Sequence, residues 1–356
     1  MMKDLRLMKG NEAVAEGAIR AGADAYFGYP ITPQSEVMEY LMAEKPYERT
    51  GMVILQAESE VASINMLYGA AGTGKRVVTS SSSPGISLMQ EGISYMAGAE
   101  LPCLLVNVVR GGPGLGTIQP SQSDYFQTTK GGGHGDYRLL TLAPAYVQEM
   151  YDFAALGLDL AFKYRNPVMI QTDGLIGQMM EKVEIGEQRP RFTEFDQSWA
   201  TTGKKGRERN IITSLDLDSA RQEKHNIHLQ EKYAEIVKAE VRFEEIQTED
   251  IDYLIVAYGS SARISQKAMQ LAHEKGIKVG LFRPITLWPF PMEQIYAISK
   301  RVKGILTIEQ SAGQMIEDVK LASQCRVKVE HFGRMGGMVP SPEEVLEALE
   351  QKLIGG

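Results

Sequence analysis

Two glutamates beside an apolar stretch are the residues of this sequence best placed for acid–base chemistry. Glu58 and Glu60 lie in the segment LQAESEVASINML, residues 55–67. An α-helix turns by about 100° per residue, so the two side chains would point to nearly opposite sides of one helix. Glu58 would lie on a smaller and more polar face. Glu60 is predicted to point inward, because the residues at helical spacing from it are Ile64, Leu67 and Ala71.

A buried carboxyl group at Glu60 would have a specific chemical use. Charge is costly in an apolar environment, so the pKa of such a group should rise unless a cation or a hydrogen-bond donor meets it. A carboxyl group of this kind can hold or share a proton, as functional sites require. The alternative is that the glutamates are first-turn acids favoured by the helix dipole, which explains Glu58 better than Glu60.

Thr32 and Arg110 are two further candidates, each placed directly after a predicted strand. Arg110 ends the strand PCLLVNVVR, and open α/β sheets bind ligands at such ends. A guanidinium there suits a carboxylate, although a surface or intersubunit salt bridge is the alternative. In YPITPQS, Pro30 and Pro33 restrict the backbone around Thr32. This segment is either a rigid loop that aims a hydroxyl into a crevice or an ordinary proline-rich turn.

Two other motifs give weaker signals. GAAGTGK, residues 69–75, has the spacing of a phosphate-binding P-loop. It ends a predicted helix and leads into a strand, however, which is the reverse of the order that phosphate binding needs. Arg76 also stands where a P-loop has Ser or Thr. His134 lies beside Asp136 in KGGGHGDYR without a second histidine at ligand spacing, so no metal site is predicted there.

The composition restricts the class of protein. The 356 residues are 43% hydrophobic and 23% charged, which is typical of a globular chain long enough for two domains. A net charge of −7 without a long basic run argues against a nucleic-acid partner. No apolar run has the length of a membrane span, and the N-terminus lacks a signal-peptide pattern. The two cysteines, Cys103 and Cys325, predict a reducing, cytoplasmic location without a zinc or iron–sulfur site held by this chain alone.

The order of the predicted elements indicates an α/β fold built from two units. Helix-like and strand-like segments alternate from residue 10 to about residue 185, which predicts a parallel sheet covered on both faces. A charged stretch then predicts an irregular connector followed by a solvated, polar helix. The strand YLIVAYGS begins a second α/β unit. We therefore predict three parts, namely residues 1–186, 187–250 and 251–356.

Several stretches together resemble one protein family. They are, in chain order, GYPITPQSE, the segment from QAESEVASINML to AGAELPC, VVRGGPGLG and GGGHGDYR. The chain resembles the α subunit of 2-oxoacid:ferredoxin oxidoreductases, in particular the branched-chain (3-methyl-2-oxobutanoate) type. The resemblance is dense over residues 9–186 and looser in the second unit. It implies a parallel-sheet, pyrimidine-type domain of thiamine diphosphate enzymes, followed by an α/β domain similar to the transketolase C-terminal domain.

The resemblance also implies a thiamine diphosphate site shared between two chains. This chain would bind the aminopyrimidine side, and a β subunit would supply the ligands of the diphosphate, of Mg²⁺ and of the iron–sulfur clusters. The segment most similar to a diphosphate–magnesium motif is TDGLIG, residues 172–177, and no suitable asparagine follows it. A γ subunit, a ferredoxin-like subunit and ferredoxin are further implied partners, in a dimer of hetero-oligomers with coenzyme A as co-substrate.

The family's site residues can be carried over by position. Glu60 resembles the catalytic glutamate that bonds the aminopyrimidine ring and activates the cofactor. The other implied cofactor contacts are Pro30, Ile31, Ser83 and Gly85, and the implied substrate contacts are Thr32 and Arg110. No metal ligand is implied on this chain. The implied reaction is the oxidative decarboxylation of a 2-oxoacid, by overall likeness a branched-chain one, to acyl-CoA and CO₂ with electrons passed to ferredoxin.

Four alternatives remain at this point. The chain could be an α subunit specific for 2-oxoglutarate or pyruvate, or a thiamine-dependent decarboxylase subunit that uses no ferredoxin. It could also be a non-catalytic assembly subunit, although the presence of Thr32, Glu60 and Arg110 argues against this. A P-loop nucleotide-binding protein is opposed by the reversed order of helix and strand.

Overall fold

A seven-stranded sheet is the frame of the first unit in the computed structural model, which describes residues 4–190 and 195–355. Its middle strands are fully buried and begin with apolar residues, because helices cover both faces of the sheet. All neighbouring strands are parallel except β12 and β6. The spatial order is β12 (Thr286–Trp288), β6 (Leu140–Leu142), β7 (Pro167–Asp173), β5 (Cys103–Val109), β4 (Val77–Ser81), β2 (Ala25–Gly28) and β3 (Val53–Gln56).

Eight helices accompany this sheet within the described residues. They are α1 (Gly10–Arg20), α2 (Ser35–Glu44), α3 (Pro46–Thr50), α4 (Glu60–Gly72), α5 (Pro84–Gly98), α6 (Tyr125–Thr129), α7 (Val147–Tyr164) and α8 (Gly174–Gln178). The predicted α/β alternation is confirmed. A feature that the pattern did not predict is a separate antiparallel ribbon of β1 (Asp4–Lys9) and β8 (Met180–Ile185). GAAGTGK is indeed a helix-to-strand turn, since α4 ends within it and β4 follows.

A charged helix, α9 (Ser219–Ala239), follows the first unit as predicted. The Asp218 carboxylate caps its N-terminus by accepting the amides of residues 220 and 221. The helix is not solvated all round, however, because Leu229, Tyr233 and Ile236 form a buried stripe on the first-unit core. Their helical spacing is enough to bury one face of an otherwise polar helix. Residues 1–3, 191–194 and 356 of the predicted parts lie outside the described residues.

The second unit has a five-stranded sheet with a hydrophobic cluster on each face. Alternate residues of β10 belong to different clusters, with Leu254 and Val256 in one and Ile255 in the other. The strands, in spatial order, are β14 (Lys328–Gly333), β13 (Gly304–Glu309), β10 (Tyr253–Ala257), β11 (Val279–Pro284) and β9 (Phe243–Ile246). The helices are α10 (Gly259–Glu274), α11 (Met292–Ser299), α12 (Met315–Ser323) and α13 (Pro342–Leu349), which continues as a π-helical turn over Glu350–Ile354.

Two strands of this sequence cross the predicted division into parts. β9 lies in the predicted connector but pairs antiparallel with β11 of the second sheet. β12 lies in the second unit but pairs antiparallel with β6 of the first sheet. The predicted domain boundaries, after residue 186 and before residue 251, therefore stay predictions. No helix among the described residues is long and apolar enough to cross a membrane.

Buried polar side chains also join the two units. The Gln122 amide group donates to the Tyr258 carbonyl (2.9 Å) and accepts from the Ser261 hydroxyl (2.7 Å) and the Gln310 backbone amide (3.0 Å). Because buried polar groups are costly when unpaired, this network fixes one arrangement of the units. It thereby positions the loops that meet between them.

Candidate active site

Glu60 lies at the start of α4, against the first turn of α5. It is only 6% exposed, and Ile64, Leu67 and Ala71 are buried behind it, so its predicted inward orientation is confirmed. A Cβ atom added to Gly85 would lie 2.7 Å from Glu60 Oε1. Glycine at this position therefore leaves the space that the carboxylate occupies. The structure thus brings together Glu60 and Gly85, two residues that the sequence assigned to one site.

Glu58 does not share a helix with Glu60, which corrects the prediction of two opposite positions on one helix. The Ser59 hydroxyl accepts the backbone amide of Ala62 (3.1 Å) and caps α4, so the helix begins at Glu60. Glu58 precedes that cap and is exposed. Its exposure follows from its position before the helix and not from helical periodicity.

The Glu60 carboxylate lacks a partner inside the described chain. No hydrogen bond or ion pair from residues 4–190 and 195–355 reaches it. The Ser81 hydroxyl borders the same gap, since a Cβ on Gly85 would lie 2.0 Å from it, and it is buried without a hydrogen-bond partner in this part of the chain. Buried polar atoms left unpaired are costly. A polar group from outside the chain, such as an aminopyrimidine ring, fits this place.

Ser83 links the turn before α5 to the strand that carries Arg110. Its backbone has φ +21° and ψ −80°, a conformation that is costly for a residue with a side chain. Hydrogen bonds hold it there: its amide donates to Asn107 Oδ1 (3.1 Å), its hydroxyl donates to Asp124 Oδ2 (2.7 Å), and its Oγ accepts the Arg110 amide (3.1 Å). Backbone strain held in this way is common at functional sites.

Asp124 and Asn107 are site residues that the sequence analysis missed. Asn107 Nδ2 donates to Asp124 Oδ2 (3.0 Å), so both side chains support Ser83. Burial raises the pKa of Asp124, while its hydrogen bonds from Asn107 and Ser83 act in the opposite direction. Asn107 carried a usable signal, because a polar residue inside the apolar strand LLVNVV must be hydrogen-bonded. Asp124 lies in the polar segment SQSDYF and carried no such signal.

The Arg110 guanidinium is buried and held by backbone carbonyls. Nη1 donates to the Thr32 carbonyl (2.9 Å), and Nη2 donates to the Leu115 carbonyl (3.0 Å). No carboxylate of the described chain pairs with it, so its positive charge is not neutralised there. The structure thus places the two predicted substrate contacts side by side. The predicted contact of Arg110 with a substrate carboxylate stays a prediction.

The loop YPITP lies at the carboxyl end of β2, as predicted. Thr32 and Pro30 are exposed and Ile31 is half-buried. The Ile31 carbonyl accepts the amide of Gln34 (3.0 Å), which closes the turn into α2. The loop is therefore an ordered turn whose tip faces outward. The predicted contacts of Pro30, Ile31 and Thr32 with a cofactor or substrate stay predictions.

A cavity of about 610 Å³ lies between the Arg110 loop and the second unit. This volume lies within the usual range of ligand sites, about 300–1,000 Å³. Arg110 is the one cationic side chain in its described lining, and Asp124 is the one acid. Its lining includes Ser83, Arg110 and Asp124 from the first unit and Gln310, Gln314 and Met335 from the second. A larger groove of about 910 Å³ runs along α9 and contains none of the predicted site residues.

The remaining motifs make local hydrogen bonds within the described chain. His134 and Asp136 are exposed, and the His134 carbonyl accepts the Ser94 hydroxyl (2.5 Å). Asp173 of TDGLIG caps α8 by accepting two backbone amides. Within residues 4–190 and 195–355, no three His, Cys, Asp or Glu side chains are grouped so as to hold a metal ion.

Comparison with known proteins identifies the class to which this fold and site belong. Residues 16–248 match the family model of the thiamine diphosphate-binding domain of pyruvate flavodoxin/ferredoxin oxidoreductases. Residues 251–345 match the model of pyruvate:ferredoxin oxidoreductase core domain II. The chain therefore belongs to the family of 2-oxoacid:ferredoxin oxidoreductase subunits, and the predicted family, enzyme class and fold class are confirmed.

Individual relatives make the comparison more specific. The ketoisovalerate oxidoreductase subunit VorB of Methanothermobacter thermautotrophicus is 49% identical over 97% of both chains. The 2-oxoglutarate synthase subunit KorA of Archaeoglobus fulgidus is 36% identical, over 98% of this chain and 100% of that protein. A P-loop nucleotide-binding protein is thereby excluded as an interpretation.

Two solved structures resemble the whole chain. One is the 2-oxoglutarate:ferredoxin oxidoreductase from Magnetococcus marinus, with 2-oxoglutarate, coenzyme A and succinyl-CoA bound, at a TM-score of 0.85 and 28% identity. The match covers 99% of this chain but only 66% of that longer one. The other is a split-gene transketolase, an inactive β4 tetramer, with a TM-score of 0.61 at 12% identity, which shows a shared fold alone.

Proposed function

We propose that this chain is a subunit of a multi-subunit 2-oxoacid:ferredoxin oxidoreductase that oxidatively decarboxylates a branched-chain 2-oxoacid to acyl-CoA and CO₂. The observation that carries the proposal is the buried Glu60 carboxylate, which has no partner in the described chain and lies in the space left by Gly85. The relative with 49% identity, named a ketoisovalerate oxidoreductase subunit, supports the branched-chain substrate. Electrons would pass to ferredoxin.

Glu60 would act on the cofactor through a proton. Bound thiamine diphosphate supplies the electron sink for decarboxylation. The Glu60 carboxyl group would hold a proton toward the aminopyrimidine ring, and its burial keeps competing water away. Gly85 leaves room for the Glu60 carboxyl group, and the hydrogen bonds of Ser83 fix the turn that carries Gly85.

Arg110 would bind the carboxylate of the 2-oxoacid. Its two terminal nitrogens are already oriented by the carbonyls of Thr32 and Leu115. A planar guanidinium held in this way presents several donors to an incoming carboxylate. The substrate would therefore bind at the edge of the cavity that Arg110 and Ser83 line.

A partner chain would cover the site. Exposed apolar side chains lie on β3, which precedes α4, on α4, which begins at Glu60, and on α5, which packs against α4. They are Leu55, Val61 and Leu88, each 44–56% exposed. Exposed apolar residues grouped around a polar site indicate a protein interface. We propose that a β subunit docks there and supplies the ligands of the diphosphate, Mg²⁺ and iron–sulfur clusters. A γ subunit, a ferredoxin-like subunit, coenzyme A as co-substrate, a dimer of hetero-oligomers and a cytoplasmic location complete the proposal.

The isolated chain is expected to bind thiamine diphosphate poorly. The cofactor's charged end needs a cation and oxygen ligands, and the described chain has no group of three His, Cys, Asp or Glu side chains that could hold a metal ion. Isothermal titration calorimetry with Mg²⁺ should detect weak or no binding to the chain alone and clear binding to the co-expressed complex. Micromolar affinity of the chain alone would contradict a site shared between two chains. A titration with EDTA in place of Mg²⁺ is the control for the metal.

The complex is expected to prefer 3-methyl-2-oxobutanoate to 2-oxoglutarate. Arg110 can pair with one carboxylate, while a second one would enter a lining that holds no other described cation and contains Asp124. Burying an unpaired carboxylate costs several kcal/mol, so we expect a ratio of kcat/KM of about 10² or more. Reduction of a viologen dye by the purified complex, with coenzyme A present, measures this ratio.

The same assay separates the parts of the proposal. Equal use of 2-oxoglutarate would favour the second candidate substrate, which the 36% identical KorA subunit supports, and would leave the enzyme class intact. If none of a panel of 2-oxoacids supports reduction of the dye, the proposed function as a whole is overturned. Decarboxylation without transfer of electrons to dye or ferredoxin would indicate a decarboxylase that uses no ferredoxin.

A further inference from the structure

We propose that Gly337, in the second unit, is a positioning residue for Arg110. It lets the backbone after β14 press against the glycine-rich loop that orients the Arg110 guanidinium. The inference rests on the proposed function, in which Arg110 binds the 2-oxoacid carboxylate. It adds that the second unit controls substrate binding from outside the site, by a contact between two loop backbones.

The loop that follows Arg110 is closed tightly on itself. The Thr117 amide donates to the Gly111 carbonyl (2.7 Å), and the Gly111 amide donates to the Gln119 carbonyl (2.9 Å). A Cβ atom on Gly116 would lie only 1.7 Å from the Gly111 carbonyl oxygen. The position of the Leu115 carbonyl, which accepts from Arg110 Nη2, therefore depends on where residues 117–119 lie.

The second unit contacts this loop at both of its closing points. The Thr117 hydroxyl donates to the Gly336 carbonyl (3.4 Å), and a Cβ on Gly111 would lie 2.8 Å from the Gly336 carbonyl carbon. A Cβ on Gly337 would lie 2.4 Å from Gln119 Cβ and 2.8 Å from Thr117 Oγ1. Gln119 Cβ is fixed to the backbone and cannot rotate away. A side chain at residue 337 would therefore push residues 117–119 out of place.

Displacement of the loop would change the position of the Arg110 guanidinium and not that of the Glu60 carboxyl group. Moving residues 117–119 shifts the Leu115 carbonyl and removes one of the two acceptors that hold the guanidinium. The Arg110 Nε atom is already buried without a partner in the described chain, so it cannot restrain the side chain. Glu60 and Gly85 lie on α4 and α5, which this loop does not carry. Substrate binding should therefore weaken while cofactor binding remains.

The test compares, in the assembled complex, alanine variants of two glycines that have nearly the same positive φ. Gly337 has φ +96° and is blocked, whereas Gly203, in the connector, has φ +98° and nothing within 4 Å of its added Cβ. Gly337→Ala is expected to raise KM for 3-methyl-2-oxobutanoate about tenfold, the worth of one charge-assisted hydrogen bond. Gly203→Ala should leave KM within about twofold, and the affinity for thiamine diphosphate should be unchanged in both variants.

A rescue variant distinguishes positioning from general damage. Gln119→Gly removes the Cβ that Gly337→Ala would strike. The other close contact is with Thr117 Oγ1, which can rotate about the Cα–Cβ bond, so the double variant should recover most of the wild-type KM. If Gly337→Ala does not assemble, Thr117→Ala, which deletes only the hydroxyl facing Gly336, should raise KM by about two- to threefold. An unchanged KM in the variant that assembles overturns the inference.

A reference variant separates this inference from the proposed function. If Arg110→Lys raises KM and Gly337→Ala does not, the positioning role of Gly337 is wrong while the substrate role of Arg110 stands. If neither variant changes KM, the proposed role of Arg110 is itself wrong. If both raise KM and the double variant recovers it, the second unit positions Arg110 as inferred.

Discussion

Replacement of Glu60 by glutamine is expected to slow exchange of the thiazolium C2 proton of bound thiamine diphosphate by about 10²–10⁴-fold, the usual worth of a positioned acid–base group. Glutamine keeps the size of the side chain and its ability to hydrogen-bond, but it cannot share an acidic proton. Because no ion pair holds Glu60 in the described chain, folding and assembly should be nearly unaffected. Hydrogen–deuterium exchange followed by NMR in the assembled complex measures the rate, and the melting temperature reports on folding.

Glu58→Gln is the matched control for this experiment. Glu58 is exposed and precedes the cap of α4, so its charge contributes at most a few tenths of a kcal/mol through the helix dipole. Exchange and turnover should remain near the wild-type values. Slow exchange in Glu58→Gln together with normal exchange in Glu60→Gln would mean that the other glutamate is functional. Normal exchange in both would favour a non-catalytic assembly subunit.

Arg110→Lys is expected to raise KM for the 2-oxoacid by about 10–100-fold, with a smaller effect on the affinity for the cofactor. Lysine keeps the positive charge, but it cannot bond the carbonyls of Thr32 and Leu115 and still present a planar pair of donors to a carboxylate. Steady-state kinetics of the complex give KM, and calorimetry gives the affinity for thiamine diphosphate.

Arg221→Lys serves as the control for this second substitution. Arg221 is 68% exposed and pairs with Asp216 on the surface, away from the cavity lining. Its replacement should change neither KM nor stability measurably, since exposed ion pairs contribute little. An unchanged KM in Arg110→Lys would place Arg110 outside the substrate site and leave it a structural role.

The inward orientation of Glu60 could be predicted because helical periodicity is a local property of the sequence. The stripe of Ile64, Leu67 and Ala71 is enough to define the buried face of α4. The start of the helix also had a signal that the prediction did not use, because Ser59 is the one Ser, Thr, Asp or Asn among residues 51–62. The hydrogen bond from the Ala62 amide to the Ser59 hydroxyl shows that this residue caps α4.

The two short strands β9 and β12 were missed for a different reason. They have four and three residues, too few for a periodic pattern. Each is defined by a partner far away in sequence, and strand formation depends strongly on such context. The hydrogen-bond partners of Arg110 could not be predicted from the sequence either, because they are backbone carbonyls, which any residue type supplies.

The short strand β12 has a consequence for how this chain can be made. It covers the edge of β6, so the sheet around the candidate site is complete only after the ribosome has added residues 286–288. A chain stopped between the two units would expose the β6 edge, and unpaired edges promote aggregation. Contacts between such distant residues also slow folding, because a long loop must close first. We therefore expect that a gene split between the two units gives a first chain with an unpaired β6 edge, which is prone to aggregation unless the second chain is made with it.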